Sequence, residues 1–293
     1  MENELQAFLT YLKETHNRTE NTVAAYRNDL NQFWRFVHAE PYALQSWSDA
    51  TAETVHDYVD YMKKRRRPYA SSSIARKVAA VKSFFKFLDK SEFIDQNPAQ
   101  EIDSPKVKKR LPKTLSPVDV ENLLQAPLKE EKQTPKTLRD AALLNMLYAT
   151  GMRVTEMVTL QLDDFDLESG VLHAPAKGGG RRDLPLDADN QAIMQSYLEA
   201  GRPYFAKEAR EQALFLNHRG QQLTRQGLWL IIKAYAKKAG LSGAVTPHTL
   251  RHSFAAHKLS SGTKLQDVQK LLGHANISTT QVYTQLDEMS AEA

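Results

Sequence analysis

Apolar residues recur at helical spacing through the first hundred positions and predict a bundle of helices. Residues 3–15 form one amphipathic segment, and Val23–Val37 carries the apolar side of a second. A third is predicted over 52–64, and a fourth begins near the serines at 71–73, which suit a helix start. The aromatic residues of this half fall mainly on the apolar faces, so we expect them in a core rather than stacked on bases.

The second half mixes helical and strand patterns. Thr134–Ala149 is apolar on nearly every side, which predicts a central helix. Gly170–Ala174 and Arg182–Leu186 predict a strand and its return, joined by a hairpin tip with three glycines. Ala213–Leu216 predicts a further short buried strand. Additional helices are predicted over 187–198, 224–239 and 248–256.

Asp103–Pro117 separates the two halves and has the composition of a linker. It contains three prolines, five cations and little apolar periodicity. A basic, extended linker suits a segment that crosses a nucleic-acid backbone, and a plain solvated linker would have the same composition. The predicted fold is mainly α with a small antiparallel β-sheet. It comprises a helical domain over 1–102, the linker over 103–117, and an α+β domain over 118–293.

Composition narrows the chemistry that the chain can perform. The 293 residues include no cysteine, which excludes disulfides, thiolate zinc sites and a cysteine nucleophile, and fits a reducing compartment such as the cytoplasm. The amino-terminal stretch has no apolar signal core, and no run of about 18 apolar residues occurs, so we expect neither a secretion signal nor a membrane span. The formal net charge of +4 is mild, so its placement matters more than its size.

Positive charge concentrates in the helical half and in the linker. Five consecutive cations precede Pro68, and such a run repels itself. A solvated helix end with favourable dipole charge explains the run, and a phosphate-contacting edge explains both the run and its basic neighbours. The candidate phosphate contacts are Lys63, Lys64, Arg65, Arg66, Arg67, Arg76, Lys77 and Lys82, with Lys108, Lys109 and Arg110 in the linker.

Thr246–Gln285 holds the densest set of reactive side chains. His248 and Arg251 lie three residues apart in a helical run and therefore share a face. His274 follows a glycine that can end a helix, and Tyr283 lies on the next short element. Two imidazoles, a guanidinium and a phenol suit a phosphodiester, which needs planar donors on its oxygens and a nucleophile in line with the leaving group.

Three further candidates lie upstream. Arg153 follows the predicted central helix and a glycine turn, and Glu156 is close enough to hold its side chain, although a purely structural Arg–Glu pair would show the same spacing. Lys177 lies at the glycine-rich hairpin tip, from which it could reach a ligand, and an exposed loop lysine would look the same. The glycines do not form a nucleotide-binding loop, because no Gly-Lys-Ser or Gly-Lys-Thr follows them.

Together these motifs resemble the tyrosine recombinase family, and within it the Xer-type recombinases most closely. The matching segments are Ala149–Glu156, Lys177–Leu186, Thr246–Ala255 and Leu271–Thr284, which occur in order and at the family's spacing. The first half resembles the family's SAM-like core-binding domain less specifically.

The chain departs from the family pattern at the hairpin tip. Ala176 stands where the family usually has glycine, and Gly180 stands where a second basic residue is common. Arg181 or Arg182 is therefore a candidate to share the role of Lys177, and both are added to the candidate DNA contacts.

The resemblance implies a set of catalytic roles. Tyr283 is the nucleophile and forms a 3′-phosphotyrosyl bond, while Lys177 protonates the leaving 5′ oxygen. His248 either accepts the tyrosine proton or holds a phosphate oxygen. No metal, ATP or other cofactor is implied. The full implied set is Arg153, Lys177, His248, Arg251, His274 and Tyr283, with Glu156 orienting Arg153 or His248.

The resemblance also implies partners. They are double-stranded DNA with inverted-repeat half-sites, and a tetramer with itself or with a paralogous recombinase on two such sites, passing through a Holliday junction. The expected role is resolution of chromosome or plasmid dimers at a dif-like site during chromosome segregation and cell division, with an FtsK-type translocase as a candidate activator. The alternatives are a mobile-element integrase, a type IB topoisomerase-like relaxing enzyme, and an inert architectural DNA-binding protein. The last would need no tyrosine at position 283.

Overall fold

The computed structural model describes residues 1–103, 105, 112–175, 180–208, 210–274 and 276–283. The chain divides into two compact units, Met1–Lys109 and Arg110–Ala293. The division falls within the predicted linker, of which residues 104 and 106–111 lie outside the described part. None of the helices in the described ranges has both the length and the apolar character that a membrane crossing requires.

The first unit is built from helices, as the apolar periodicity predicts. Threonines at positions 19 and 51 cap α2 and α3 by accepting backbone N–H groups. The described helices are α1 (Glu2–Glu14), α2 (Glu20–His38), α3 (Ala52–Lys64) and α4 (Ser71–Lys90), with a 3₁₀ turn over Trp47–Asp49.

Aromatic rings fill the core of the first unit. Phe33, Phe84 and Phe85 are fully buried. The Phe33 ring meets the Phe85 ring edge to face, with 5.8 Å between their centroids. These residues lie inside the bundle, so they are not available to stack on bases, as expected.

The second unit surrounds one central helix with shorter helices and a small sheet. Helix α6 is buried along most of its length and packs against α5, α8 and α11. The helices of this unit are α5 (Pro117–Gln125), α6 (Pro135–Thr150), α7 (Val154–Thr159), α8 (Ala188–Ser196), α9 (Arg202–Phe205), α10 (Arg225–Lys238), α11 (Pro247–Ser260), α12 (Leu265–Leu272) and α13 (Ser278–Gln281), with a 3₁₀ turn over Leu162–Asp164 and a π turn over Tyr197–Gly201.

The sheet has three antiparallel strands in the order β1-β2-β3. They are β1 (Phe165–Asp166), β2 (Val171–Pro175) and β3 (Arg181–Pro185). Leu172 faces Leu184 across the β2–β3 hairpin, and both are buried. The mainly helical fold with a small antiparallel sheet is therefore confirmed.

The strand predicted at Ala213–Leu216 is not part of this sheet. The segment is buried, but it makes isolated bridges at its two ends, from Ala213 to Gln161 and from Leu216 to Gln222. The apolar run therefore predicts correctly that the segment lies in the core. It forms no described strand because each end pairs with a different segment, so no continuous ladder develops.

Gly151 ends α6 where α11 passes close by. It adopts a left-handed conformation with φ of +59°, which glycine tolerates and other residues rarely do. A Cβ atom at this position would lie 2.4 Å from Cδ1 of Phe254 on α11. The close approach brings the residues that follow Gly151 alongside α11.

Candidate active site

Helix α11 carries three of the site's side chains on neighbouring turns. It begins after Thr246, whose hydroxyl accepts a backbone N–H of the first turn at 3.1 Å. His248, Arg251 and His252 follow at spacings of three and four residues from the first, so they share one side of the helix. Arg251 is only 5% exposed, His252 is half-buried, and His248 lies at the surface.

Two arginines converge on the carboxyl end of α12. The Arg251 guanidinium donates to the Leu272 carbonyl at 2.7 Å, and that of Arg153 donates to the Gly273 carbonyl at 3.2 Å. The last carbonyls of a helix lack helical partners and carry the negative end of the helix dipole, so both contacts are favourable. His274 follows directly and is thereby held beside the two guanidinium groups.

Arg182 belongs to this same cluster rather than to an open DNA-binding surface. Its side chain is 11% exposed. Its three donor nitrogens reach the Leu271 carbonyl at 3.1 Å, the Pro175 carbonyl at 2.7 Å and the Glu156 carboxylate at 2.7 Å. Protein groups thus bind every nitrogen of the Arg182 guanidinium, and a DNA contact at Arg182 stays a prediction.

Glu156 joins two of the arginines. It accepts from the Arg153 guanidinium at 2.8 Å, from the Arg153 backbone N–H at 2.9 Å and from Arg182 at 2.7 Å. Burial alone would raise the pKa of the Glu156 carboxyl, but the hydrogen bonds from Arg182 and Arg153 outweigh it, so the pKa is lowered. Glu156 is ionised at neutral pH and orients Arg153, which is the contact that their spacing indicated.

The cluster carries an excess of positive charge. Burial, followed by the charge of Arg153, lowers the pKa of Arg251 to about 10. That value is far above neutral pH, so the guanidinium remains charged. Three guanidinium groups face one carboxylate in this cluster, and the remaining positive charge suits an anion such as a phosphodiester.

His274 is held as a neutral imidazole. Its Nδ1 lies 2.9 Å from the Thr280 hydroxyl. Burial and the charges of Arg251 and Arg153 lower the pKa of His274 to about 4. In the tautomer whose Nδ1 accepts from Thr280, Nε2 carries the proton and can donate to an anion.

Tyr283 is packed beneath these charges. It is 3% exposed and shares a small apolar cluster with Phe254 and Leu272. Burial raises the pKa of the Tyr283 hydroxyl, and the charges of Arg251 and Arg153 act in the opposite direction. Its oxygen lies 2.7 Å from Nδ1 of His252.

His252 is the site residue that sequence reasoning missed. The sequence indicates His248 as the histidine that either accepts the tyrosine proton or holds a phosphate oxygen, and it assigns His252 no role in the site. The structure gives the Tyr283 contact to His252, whose ring centroid lies 6.3 Å from that of His248. The available signal was the spacing of four residues, which places His252 one turn along the same helix face.

Several predicted residues lie outside the described part of the chain. They include Lys177 at the hairpin tip and the linker cations Lys108, Lys109 and Arg110. Within the ranges that the structure describes, no group of three or more histidine, cysteine, aspartate or glutamate side chains is arranged to hold a metal ion.

Three cations of α4 serve the first unit's own structure. Lys77 is 7% exposed and bonds to the buried carboxylate of Asp29 at 2.9 Å, so its expected role as a surface DNA contact is corrected. Arg76 pairs with the same carboxylate from a more exposed position. Lys82 donates to the Ile102 carbonyl at 2.8 Å and is also engaged within the unit.

The basic run over 63–67 is exposed. Lys63 and Lys64 pair with Asp60 at 3.1 and 2.9 Å, within reach of solvent. Arg181, also exposed, pairs with Asp164 in the second unit at 3.2 Å. Exposed pairs of this kind hold their partners weakly, so all these cations remain available for a phosphate.

Comparison with known proteins supports the family resemblance of both units. Residues 113–289 match the model of the phage integrase family, and residues 5–92 match that of the phage integrase N-terminal SAM-like domain. The tyrosine recombinase XerC of Roseiflexus sp. (strain RS-1) is 46% identical, over 99% of this chain and 91% of that protein. The tyrosine recombinase XerD of Halalkalibacterium halodurans is 40% identical, over 96% of this chain and 92% of that protein.

A solved structure shares the fold across both units. It is the XerH site-specific recombinase bound to a palindromic difH substrate in a post-cleavage complex, with a TM-score of 0.75. The match has 24% identity and covers 98% of this chain and 83% of that one. The chain belongs to the phage integrase family and is one of its tyrosine recombinases, enzymes that cut and rejoin DNA through a bond to a tyrosine.

Proposed function

We propose that this chain is an Xer-type site-specific recombinase in which Tyr283 attacks a DNA phosphodiester. The supporting observation is the convergence of Arg153 and Arg251 on the end of α12, with His274 beside them and the phenol within the field of both charges. Guanidinium groups placed in this way stabilise the charge that develops on the non-bridging phosphate oxygens.

The proposed reaction is a transesterification. The Tyr283 oxygen forms a bond to phosphorus, and the bond from phosphorus to the 5′ oxygen breaks. Lys177 is the proposed donor of the proton that the departing 5′ oxygen needs. Because one phosphate ester replaces another, the bond energy is retained and ATP is not required. Attack by the 5′ hydroxyl of a different strand reverses the step and exchanges partners.

The proposed assembly is a tetramer on two DNA sites, each with inverted half-sites. This proposal is supported by the similarity to relatives named XerC and XerD. It is also supported by the palindromic DNA substrate in the XerH structure. We propose that the assembly acts in the cytoplasm and resolves chromosome or plasmid dimers at a dif-like site, passing through a Holliday junction. A paralogous recombinase as second subunit and activation by a translocase are parts of the same proposal.

A nicked suicide substrate tests the proposed nucleophile. Such DNA loses the short strand after cleavage, so the covalent adduct accumulates and can be detected on a denaturing gel. We expect wild-type protein to form the adduct in the presence of EDTA, and Tyr283→Phe to bind the DNA without forming it. An adduct that persists in Tyr283→Phe would contradict the assignment.

Tyr148→Phe is the matched control. The Tyr148 hydroxyl also bonds to a histidine of α11, at 2.8 Å from Nδ1 of His257, which lies six residues along the helix from Arg251. Its removal deletes the same kind of hydrogen bond, so we expect the adduct to form. A two-site plasmid then separates strand exchange from simple relaxation, because only exchange changes the order of the DNA segments.

A further inference from the structure

The Tyr283 hydroxyl has one hydrogen-bonding side chain among the described residues. That partner is His252, whose Nδ1 lies 2.7 Å from the phenol oxygen. The two rings are also neighbours, with 5.4 Å between their centroids and a tilt of 49° between their planes. His248 is exposed, and no hydrogen bond joins it to Tyr283 in the part of the chain that the structure describes.

We propose that His252 is a further catalytic residue, which holds the Tyr283 hydroxyl and takes its proton as the phenol attacks phosphorus. This inference rests on the proposed function, in which Tyr283 is the nucleophile. A general base must lie within hydrogen-bonding reach of the proton that it removes, and in this structure His252 meets that condition. His248 is left to bind a phosphate oxygen.

Burial and the neighbouring charges keep the His252 imidazole neutral and able to accept a proton. Burial lowers its pKa, and the neighbouring His248 and Arg251 lower it further. His274 approaches from the end of α12 and is itself held neutral. Arg251 and His248 lie on its own helix, and Tyr283 faces it from the last described segment.

A weakly basic imidazole is sufficient for this role. The free phenol is a poor acid, and burial raises its pKa further. As the bond to phosphorus forms, however, the phenol oxygen gives up electron density and its proton becomes strongly acidic. The proton then moves to a nearby neutral base without a free phenolate being formed.

Protons and electron pairs balance in the proposed step. A lone pair of the Tyr283 oxygen forms the bond to phosphorus, and the phenol proton passes to Nδ1 of His252. The electron pair of the broken bond stays on the 5′ oxygen, which takes a proton from Lys177. In the reverse step the attacking 5′ hydroxyl returns its proton to Lys177, and the departing tyrosine oxygen recovers its own from His252.

Helix α11 carries a second tyrosine–histidine pair that serves as an internal control. His257 bonds through Nδ1 to Tyr148 at 2.8 Å and through Nε2 to the Leu115 carbonyl at 3.0 Å. Both of its ring nitrogens are engaged by protein groups, as in a structural histidine. His252 has no described partner for Nε2, so it can gain a proton on Nδ1 without giving up another hydrogen bond.

The test compares His252→Gln and His252→Ala with His257→Gln. Cleavage of the nicked suicide substrate is followed in a single turnover with the full chain in excess, and DNA binding is measured separately. We expect cleavage by both His252 variants to slow by about 10²- to 10⁴-fold with DNA binding retained, and His257→Gln to stay within about threefold of wild type. Added imidazole should partly restore His252→Ala, and the cleavage rate of that variant should rise more steeply with pH than that of wild type.

Each outcome decides the proposal. Cleavage by His252→Gln within about threefold of wild type, while Tyr283→Phe forms no adduct, overturns the role of His252 and leaves the proposed function intact. Loss of DNA binding together with cleavage, a lowered melting temperature and no response to imidazole assign His252 a structural role and also overturn it. Absence of an adduct from wild-type protein is the separate failure of the proposed function.

Discussion

Glu156 shows how much of the site depends on one buried carboxylate. It is the anion between Arg153 and Arg182, and it also accepts the backbone N–H of Arg153, the residue that precedes α7. Without its charge two guanidinium groups would lie in a partly buried place with no compensating anion, which is more costly than at an open surface.

Glu156→Gln keeps the shape of the side chain but removes that charge. We expect the free energy of unfolding to fall by about 1–3 kcal/mol, because hydrogen bonds to charged groups are replaced by weaker ones. We also expect slower cleavage, since Arg153 loses its orientation. Urea unfolding and suicide-substrate cleavage measure the two effects. The exposed Glu168→Gln is the control, and equal behaviour of the two variants would refute the orienting role.

His274 predicts how stability depends on pH. Its pKa is about 4 in the folded protein against an ordinary value of 6.5, so the unfolded chain binds the proton more readily. The contribution of neutral His274 is therefore fully present above pH 6.5 and is lost as the pH falls towards 4. Urea unfolding at a series of pH values should show a shallower decline for His274→Gln than for wild type. Parallel curves for the two proteins would contradict the prediction.

At the scale of elements, apolar periodicity predicted which segments are buried better than it predicted which segments pair with each other. The helices of the first unit and α6 follow directly from apolar spacing, because each buries one stripe or all of its surface. Ala213–Leu216 was predicted as a strand, and only its burial is correct. Its two ends bridge to Gln161 and Gln222, which lie in different segments, and no local pattern encodes that pairing. The same limit applies to Lys77, because its partner Asp29 lies on another helix.

The turn between α6 and α7 gives a prediction about Gly151. Gly151→Ala adds both left-handed strain and a Cβ atom 2.4 Å from the Phe254 ring. Gly240, just beyond α10, has a similar φ of +70° but open space around its Cα. We expect Gly240→Ala to lower the free energy of unfolding by about 1 kcal/mol, and Gly151→Ala to lower it by a further 1–3 kcal/mol or so from overpacking.

Cleavage provides a second measurement on the same two glycine variants. The Gly151 carbonyl accepts from Arg251, so displacement of the turn should also disturb the site. We expect Gly151→Ala to slow adduct formation while Gly240→Ala leaves it close to wild type. Equal losses of stability and activity in the two variants would show that the close contact with Phe254 is relieved without consequence.

At the scale of the whole molecule, charge placement separates cations that can meet DNA from those that hold the protein together. Arg66 lies in the exposed basic run, whereas Lys77 is buried against Asp29. The two residues look alike in the sequence because each belongs to a cluster of cations. Only the three-dimensional position of the acidic partner distinguishes them.

Salt dependence of DNA binding tests this division. Arg66→Ala should flatten the plot of the logarithm of affinity against the logarithm of salt concentration by about 0.9 for each phosphate that the variant no longer neutralises. Lys77→Ala removes the same charge but should leave that slope unchanged and lower the stability of the first unit instead. Urea unfolding and binding titrations at several salt concentrations make the comparison. A slope that changes equally in both variants would mean that total charge, not position, governs binding.

The candidate site was predictable in its parts and less so in its contacts. Spacing along the chain indicated Arg153 with Glu156 and placed His248 and Arg251 on one face. It did not show that His252 holds the tyrosine or that Arg182 turns inward, because both contacts join segments distant in the chain. Packing between segments distant in the chain decides which of several neighbouring residues reaches the candidate active site.

The three arginines at the end of α12 have a consequence for how relatives of this chain should be judged. Because they bond to the last carbonyls of that helix, they would still stabilise a descendant that had abandoned strand cutting. Phenylalanine, by contrast, could occupy the apolar niche of Tyr283. The phenolic oxygen is thus the better marker of a working enzyme, because the three guanidinium groups also have a structural role at the end of α12.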